Sequence, residues 1–215
     1  MESPTSITST KSSIIFVKLK LYDVKQIIFF LFFLLNTDLI VLFMTGSLKS
    51  IRIIKDFPKK GIAFYDISTI LSNPKVFNNV VDLMSKEVVK LNASTVVGID
   101  SRGFIFASAV AYKLKKKLVM IRKKGKLPGK TYATSYKLEY GSNQLEIQSD
   151  MTKGYDKGVS IDDIFATSGT IRASMKLINK TKAKIKGIVV LLELSFLNGR
   201  SKIKPKLISL NKVNT

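Results

Sequence analysis

Two adjacent carboxylates, Asp162 and Asp163, stand near the end of an apolar segment that predicts a strand. Small residues follow and lead into a predicted helix at 171–180; they are Ala166, Thr167, Ser168, Gly169 and Thr170. Small side chains let backbone N–H groups converge on a phosphate, toward which the helix directs the positive end of its dipole. The carboxylates would repel a phosphate but suit the hydroxyls of a sugar. The pattern therefore predicts a sugar-phosphate site at the carboxyl end of a strand.

Two further loops carry residues that suit an anion. Arg102 lies between a predicted buried strand and a predicted helix, where a guanidinium and backbone N–H groups would bind diphosphate oxygens. The loop after the next strand concentrates positive charge on Arg122, Lys123 and Lys126. An Arg in the first kind of loop is more often a surface residue, and the second loop by itself is equally typical of a solvated surface, so neither identifies a site alone.

The composition excludes several classes of active site. The 215 residues include no cysteine and no histidine, which excludes disulfides, Cys/His zinc sites, Ser-His-Asp triads and cysteine nucleophiles. Acid–base chemistry must then fall to Asp, Glu, Lys or Tyr, and a metal would need oxygen ligands, which suits Mg²⁺. The fingerprints of P-loop ATPases and dinucleotide-binding proteins, GxxxxGK[ST] and GxGxxG, are missing from the sequence.

The net charge of +21 does not predict a nucleic-acid partner. Of the 36 basic residues, 31 are lysines spread through every segment and five are arginines. Nucleic-acid-binding surfaces favour arginine, with aromatic side chains placed for stacking on bases, and the sequence has neither pattern. We attribute the charge to the codon usage of an AT-rich genome.

Residues 1–43 form an N-terminal extension that differs from the rest of the chain. A start rich in Ser and Thr precedes an apolar run from Ile27 to Met44, in which Asp38 is costly for a membrane span. Three interpretations are open: a signal anchor, a transit peptide, or upstream sequence translated in frame before a natural start at Met44. We prefer the third because the compact pattern begins directly after Met44. We therefore place the domain at residues 44–215 and do not expect membrane association.

Predicted strands and helices alternate from residue 48 onward. The end of a helix is predicted at 50–55, an extended segment at 62–67, and a long loop at 123–138. Helices are predicted at 74–91, 103–114 and 171–180, and strands at 94–99, 118–121, 145–147, from 159, and at 187–192. This alternation predicts a mainly parallel, doubly wound α/β sheet.

The carboxylate pair and its loop resemble the phosphoribosyl-diphosphate (PRPP) signature of type I phosphoribosyltransferases. Other segments are similar to adenine phosphoribosyltransferases in order and spacing: residues 61–64, 100–104, 121–129, 135–141 with 144–147, and 193–200. The resemblance covers roughly residues 48–205. It implies the type I fold with a small hood and a flexible catalytic loop. It also implies a cytoplasmic homodimer that converts adenine and PRPP to AMP and diphosphate in purine salvage, with Mg²⁺ carried mainly by PRPP.

The same resemblance implies a role for each candidate residue. Phe64 would stack on adenine, the backbone at Ala63 would read the edge of the base, and Leu194 would close its other face. Asp162 and Asp163 would hold the ribose hydroxyls, and residues 166–170 the 5′-phosphate. The diphosphate would be surrounded by Arg102, Arg122, Lys123 and Lys126, with the last three contributed by a neighbouring subunit in one arrangement. Glu139 would be the general acid/base at the purine N7.

Several positions depart from the family pattern. Tyr65 stands where the family usually has Arg, which leaves a type I phosphoribosyltransferase for another base open as an alternative. Ser168 replaces the first loop glycine, at a position where positive φ would disfavour a side chain. Gly158 and Ser160 interrupt the usual valine run of the strand, and the tail after Arg200 shows no clear resemblance. A non-catalytic, PRPP-sensing regulator is the other alternative, against which Glu139 argues.

Overall fold

A computed structural model gives the fold of residues 51–137, 142–154 and 156–214, so that the extension at 1–43 and Glu139 lie outside the described residues. Within these ranges the strands are β1 Arg52–Ile54, β2 Phe64–Asp66, β3 Thr95–Ile99, β4 Lys117–Lys123, β5 Thr131–Lys137, β6 Ser142–Gln148, β7 Lys157–Phe165, β8 Lys184–Leu194 and β9 Leu207–Val213. The α-helices are α1 Ser68–Leu71, α2 Pro74–Lys90, α3 Gly103–Leu114 and α4 Gly169–Lys180. No helix in these ranges combines the length and apolar character needed to cross a membrane.

Seven strands form one mixed sheet in the order β5-β6-β4-β3-β7-β8-β9. The five strands from β4 to β9 in this order are parallel to one another. At the other edge, β6 pairs antiparallel with β4 and with β5. β1 and β2 form a separate antiparallel pair. The carboxyl ends of β3, β4, β7 and β8 therefore meet at one edge of the sheet, where ligands bind in open α/β folds.

Helices cover both faces of the sheet, as a doubly wound fold requires. On one face, α2 and α3 pack against Val96 and Val159. On the other face, α4 packs its Leu177 and Ile178 against Val97. Adjacent residues of β3 thus enter opposite cores, because successive side chains of a strand point to opposite faces. The predicted mainly parallel α/β fold is confirmed.

Three strands were not predicted from the sequence, and each is paired with a neighbouring strand. The helix end predicted at 50–55 is wrong, since β1 pairs there with β2. The predicted loop at 123–138 contains β5, whose polar residues pair with β6. β9 adds a parallel strand beside β8 and buries Leu207 and Leu210. Pairing with a neighbouring strand, rather than local propensity, decides such segments.

Candidate active site

The predicted phosphate loop connects β7 to α4. β7 ends at Phe165, and α4 begins at Gly169. Ser168 occupies the N-cap position of α4 with φ of +77° and is buried. The positive φ expected at this position is therefore present, on a residue with a side chain. The first N–H groups of a helix have no partner within it, so the start of α4 offers donors to an anion.

The carboxylate pair lies just before this loop on β7, and both side chains are buried. Asp162 and Asp163 are 9% and 5% exposed. The Asp162 Oδ1 accepts a hydrogen bond from the backbone N–H of Asp163 at 3.0 Å. The Asp163 Oδ2 lies 2.7 Å from the Arg102 Nε. Helix α3 starts directly against the pair, since a Cβ on Gly103 would lie 2.8 Å from the Asp162 Oδ1.

Burial changes the acidity of both carboxyl groups. Burial raises the pKa of Asp162 well above its usual value, and the negative charge of Asp163 adds to this effect. Burial also raises the pKa of Asp163, although the Arg102 guanidinium acts in the opposite direction. Desolvation disfavours the charged form of each group. The pair is therefore suited to a ligand whose hydroxyl groups donate hydrogen bonds to it.

Arg102 connects the carboxylate pair to an aromatic side chain. Besides its ion pair with Asp163, its Nη1 lies 3.4 Å from the carbonyl oxygen of Tyr65. Its guanidinium carbon lies 5.2 Å from the centroid of the Phe64 ring, within the range of a cation–π contact. The Phe64 ring also makes an edge-to-face contact with Phe57 at 5.1 Å between centroids. The structure thus brings together Phe64, Arg102 and Asp163, as predicted for one site.

The second basic loop lies beside the loop that carries Arg102. The Arg122 Nε is 3.3 Å from the Asp100 Oδ2, and its Nη1 donates to the carbonyl oxygen of Lys126 at 3.1 Å. Its guanidinium also lies 5.9 Å from the centroid of the Phe104 ring. The side chains of Lys123 and Lys126 are exposed. Three of the four predicted cations therefore lie close to the fourth, with Arg122 and Lys123 at the end of β4 and Lys126 in the loop that follows.

A buried glutamate, Glu146, accepts hydrogen bonds from the backbone of this basic loop. Its Oε1 accepts hydrogen bonds from the backbone N–H groups of Lys126 at 3.1 Å and Leu127 at 3.0 Å. Its Oε2 accepts from the Thr131 hydroxyl at 3.4 Å. No role was predicted for Glu146 or Asp100 from the sequence. An acid between two apolar residues, as in Leu145-Glu146-Ile147, predicts an exposed position, so this function could not be found locally.

The residues expected at the base differ in burial. Ala63 is exposed directly before β2, and Leu194 is half-buried at the end of β8. Tyr65, the departure that left another base open, is buried within the hydrophobic core. Its side chain has a packing role, and only its carbonyl oxygen contacts Arg102.

β2 is fixed by Asp66 at its last position. The hydroxyl and backbone N–H of Ser68, with the Arg52 guanidinium, lower the pKa of Asp66 to about 2. The Arg52 Nε donates to the Asp66 Oδ2 at 3.0 Å across the β1–β2 pair. These contacts hold the strand that presents Phe64.

Replacing Ser168 with glycine should raise the free energy of unfolding by about 0.5–1 kcal/mol. Left-handed backbone costs a residue with a side chain roughly 1–2 kcal/mol, which exceeds the roughly 0.4–1 kcal/mol that glycine loses through the freedom of the unfolded chain. Urea denaturation followed by circular dichroism measures the change. Ser168→Ala is the matched control, because it keeps the Cβ. A gain in Ser168→Ala equal to that in Ser168→Gly would contradict the explanation by strain.

Comparison with known proteins supports one family. The family model of the phosphoribosyl transferase domain matches residues 66–213. The adenine phosphoribosyltransferase of Mycoplasma mobile is 49% identical over 164 residues, which cover 76% of this chain and 95% of that protein. The enzyme of the same name from Carboxydothermus hydrogenoformans is 45% identical over 158 residues, which cover 74% of this chain and 93% of that protein.

Solved structures agree with the sequence relatives. The crystal structure of adenine phosphoribosyltransferase from Thermoanaerobacter pseudethanolicus matches with a TM-score of 0.77 and 39% identity, covering 79% of this chain and 99% of that one. The Saccharomyces cerevisiae enzyme, crystallised with an imino-altritol bisphosphate and adenine, matches with a TM-score of 0.75 and 31% identity over 79% and 99% of the two chains. With its fold, its carboxylate–loop–helix site and these relatives, the chain belongs to the adenine phosphoribosyltransferases of the phosphoribosyltransferase family.

Proposed function

We propose that this protein transfers the phosphoribosyl group of PRPP to adenine, forming AMP and diphosphate. The observation that carries the proposal is the position of Arg102, which contacts both the buried Asp163 and the ring of Phe64. A diphosphate-binding cation, a ribose-binding carboxylate and a base-stacking ring are thereby neighbours. The names of the relatives agree with adenine as the base.

In the proposed complex, PRPP lies along the end of β7 and the start of α4. Backbone N–H groups of residues 168–170 bind the 5′-phosphate, assisted by the small side chains of Ala166 and Thr167. Asp162 and Asp163 accept hydrogen bonds from the ribose hydroxyls. Donors from the sugar compensate the two carboxylates for the water that they lose by burial.

The diphosphate of PRPP is bound by cations from two loops. Arg102 approaches from the start of α3, Arg122 and Lys123 from the end of β4, and Lys126 from the loop that follows β4. Magnesium enters with PRPP, bound to diphosphate oxygens, which are the ligand type that Mg²⁺ prefers. Among residues 51–137, 142–154 and 156–214, no three acidic side chains are grouped as a metal site.

The chemical step exchanges one bond at C1 of the ribose for another. The bond from C1 to the diphosphate oxygen breaks, a bond from C1 to N9 of adenine forms, and the proton that the reacting adenine carries on N7 passes to Glu139. Positive charge develops on the sugar and negative charge on the leaving diphosphate, which the cations stabilise. Glu139, assigned from the family resemblance, exchanges a proton at N7, and its loop excludes water that would hydrolyse PRPP.

Arg102 links the two substrates in this proposal. Its guanidinium now lies over the ring on which adenine would stack. The diphosphate is a stronger partner for a guanidinium than an aromatic face, because it offers charged oxygens in bidentate geometry. Diphosphate binding therefore draws Arg102 away from Phe64 and leaves the ring to the base.

We further propose that the protein is a cytoplasmic homodimer formed through α3 and β4. Large apolar side chains are exposed on this surface: Ile105 at 38%, Tyr112 at 89%, Leu118 at 40% and Met120 at 41%. Val119 and Ile121, which alternate with Leu118 and Met120 along β4, enter the core on the opposite face of the sheet. Large exposed apolar side chains on a helix and the strand that it contacts are typical of an interface. This surface adjoins Arg122, so a partner bound there would lie close to the cations of the site.

AMP formation from PRPP and Mg²⁺, with adenine, hypoxanthine and guanine assayed in parallel on the full chain, tests the function. We expect turnover of adenine, and a decrease in kcat of about 10²–10⁴-fold for Glu139→Gln, because general acid–base catalysis is lost. Glu87→Gln, on α2 and paired with Lys90, is the matched control and should leave kcat unchanged. Folded protein that binds PRPP but turns over no base would instead support the regulator, and turnover of another base the second alternative.

Asp162→Asn should stabilise the ligand-free protein while it weakens PRPP binding. Because the folded-state pKa of Asp162 is raised, the folded protein binds more protons than the unfolded chain between the two pKa values. The free energy of unfolding therefore falls as pH rises through that window. The variant should lose this dependence and be more stable than the wild type near neutral pH. Urea denaturation across the pH range measures the gain in stability and the loss of its pH dependence.

Asp163→Asn is the comparison variant for that experiment. It leaves Arg102 without its carboxylate partner, so it should lose stability. Equal stability changes in the two variants would contradict the different roles assigned to the two carboxylates.

Sedimentation velocity tests the proposed dimer. The wild type should sediment as a dimer, and Met120→Lys as a monomer, because a desolvated lysine in the apolar surface opposes association. Val89→Lys, at another exposed apolar position, is the control and should remain dimeric. A monomeric wild type at micromolar concentration would contradict the proposal.

A further inference from the structure

The turn after β8 contacts both halves of the site although it contains none of the predicted ligand-binding residues. Two short 3₁₀ turns, Ser195–Leu197 and Gly199–Lys202, connect Leu194 at the end of β8 to β9. Gly199 and Arg200 lie at the start of the second turn. Each of them makes a contact that the surrounding strands cannot replace.

Arg200 ties together three segments. Its Nε and Nη2 donate to the two carboxylate oxygens of Glu193 at 2.8 and 2.5 Å, a bidentate pair. Its Nη1 donates to the carbonyl oxygen of Leu207 at 2.9 Å, and its Nη2 also donates to the Ser209 hydroxyl at 3.1 Å. The Ser209 hydroxyl donates in turn to Glu193 at 2.6 Å. The end of β8, the turn and β9 are thereby fixed to one another.

The buried carboxylate at the centre of this cluster depends on Arg200. The Glu193 side chain is 3% exposed, whereas that of Arg200 is 42% exposed. Hydrogen bonds from Arg200 lower the pKa of Glu193 despite its burial. Glu193 immediately precedes Leu194, the residue assigned to one face of adenine. The position of Leu194 therefore depends on whether Arg200 holds Glu193.

Gly199 places the same turn directly against the phosphate loop. A Cβ at this position would overlap the carbonyl oxygen of Ala166 and lie 3.0 Å from the Phe165 ring. The φ of Gly199 is not in the left-handed region, so close approach, rather than backbone conformation, requires glycine here. Ala166 is the first residue of the loop that binds the 5′-phosphate in the proposed function.

We infer that Gly199 and Arg200 are positioning residues. They hold Leu194, which faces adenine in the proposed complex, and the phosphate loop in fixed positions relative to each other. This inference rests on the proposed function, since it assigns both contacts to substrate subsites. Gly199 determines how closely the turn approaches the phosphate loop, through its contact with Ala166. Arg200 determines the position of Leu194, through its hydrogen bonds to Glu193. Neither residue contacts substrate. A displacement of about 1 Å at a site of this kind can cost up to about a hundredfold in rate.

The test measures KM for PRPP and for adenine separately, with kcat, on the full chain. Gly199→Ala should raise KM for PRPP about tenfold or more, and Arg200→Met should raise KM for adenine by a similar factor. Arg200→Lys, which keeps the charge but not the bidentate pair, should fall between wild type and Arg200→Met. If Arg200→Met does not fold, Arg200→Lys carries the test.

Two matched controls separate positioning from loss of stability. Gly158→Ala adds a methyl group at another buried glycine, where the nearest atoms would lie at an ordinary 3.7 Å. Lys117→Met breaks a comparable pair at the opposite edge of the sheet, with Asp156, in which the two side chains are 41% and 5% exposed. Both should leave the two KM values unchanged, even where Lys117→Met lowers the melting temperature.

The outcomes distinguish this inference from the proposed function. Normal KM values in folded Gly199→Ala and Arg200→Met, with an active wild type, would overturn the inference and leave the function intact. An inactive wild type would overturn the proposed function. In that case calorimetric titration of PRPP decides the phosphate-loop half: unchanged affinity in Gly199→Ala overturns it, and weakened affinity supports it.

Discussion

The burial of two adjacent carboxylates at the end of β7 is the constraint on which the rest of the site depends. Asp162 and Asp163 have little access to water, and burial raises the pKa of both. An unpaired buried charge is costly, so a cation has to lie beside them. Arg102 meets that need, and it does so from the loop before α3. The position of α3 is consequently tied to the chemistry of β7.

Close backbone approaches then determine how the surrounding elements are placed. Gly103 lets α3 begin on the carboxylate pair, and Gly199 lets the turn after β8 rest on the phosphate loop. Gly98 lets α3 lie close to β3, since a Cβ there would be 2.8 Å from the Cβ of Ala107. At all three positions a methyl group would meet atoms that cannot easily move. The backbone of the site is therefore closely packed where these glycines lie.

Arginine has a different role from lysine in this lysine-rich chain. Four of the five arginines form an ion pair with an acid within the described residues, and each of the acids is largely buried: Asp66, Asp163, Asp100 and Glu193. A planar guanidinium with several donors can satisfy a carboxylate and a second acceptor at once. Exposed ion pairs contribute little to stability, but a buried carboxylate that loses its partner is strongly destabilising. The scarce arginines are thus concentrated where an acid must be buried.

The sequence by itself determined the α/β class, the carboxylate–loop–helix site and the bounds of α3. These follow from local features: apolar periodicity, small residues at a helix start, and a motif contiguous in the chain. It also predicted that Ser168 would occupy a backbone position suited to glycine. Glu139 and the extension at 1–43 remain predictions from the sequence, because they lie outside the described residues.

Only the tertiary structure decided β1, β5 and β9, and the partners of the buried acids. β5 is polar, and it is a strand because β6 lies beside it. The local sequence predicts an exposed Glu146, but the loop after β4 folds over it. The local sequence likewise gives no sign that Gly199 lies against Ala166. Such contacts join residues between 5 and 33 positions apart. Local propensity and pattern carry no information about them, because their energy exists only after the chain has brought the partners together.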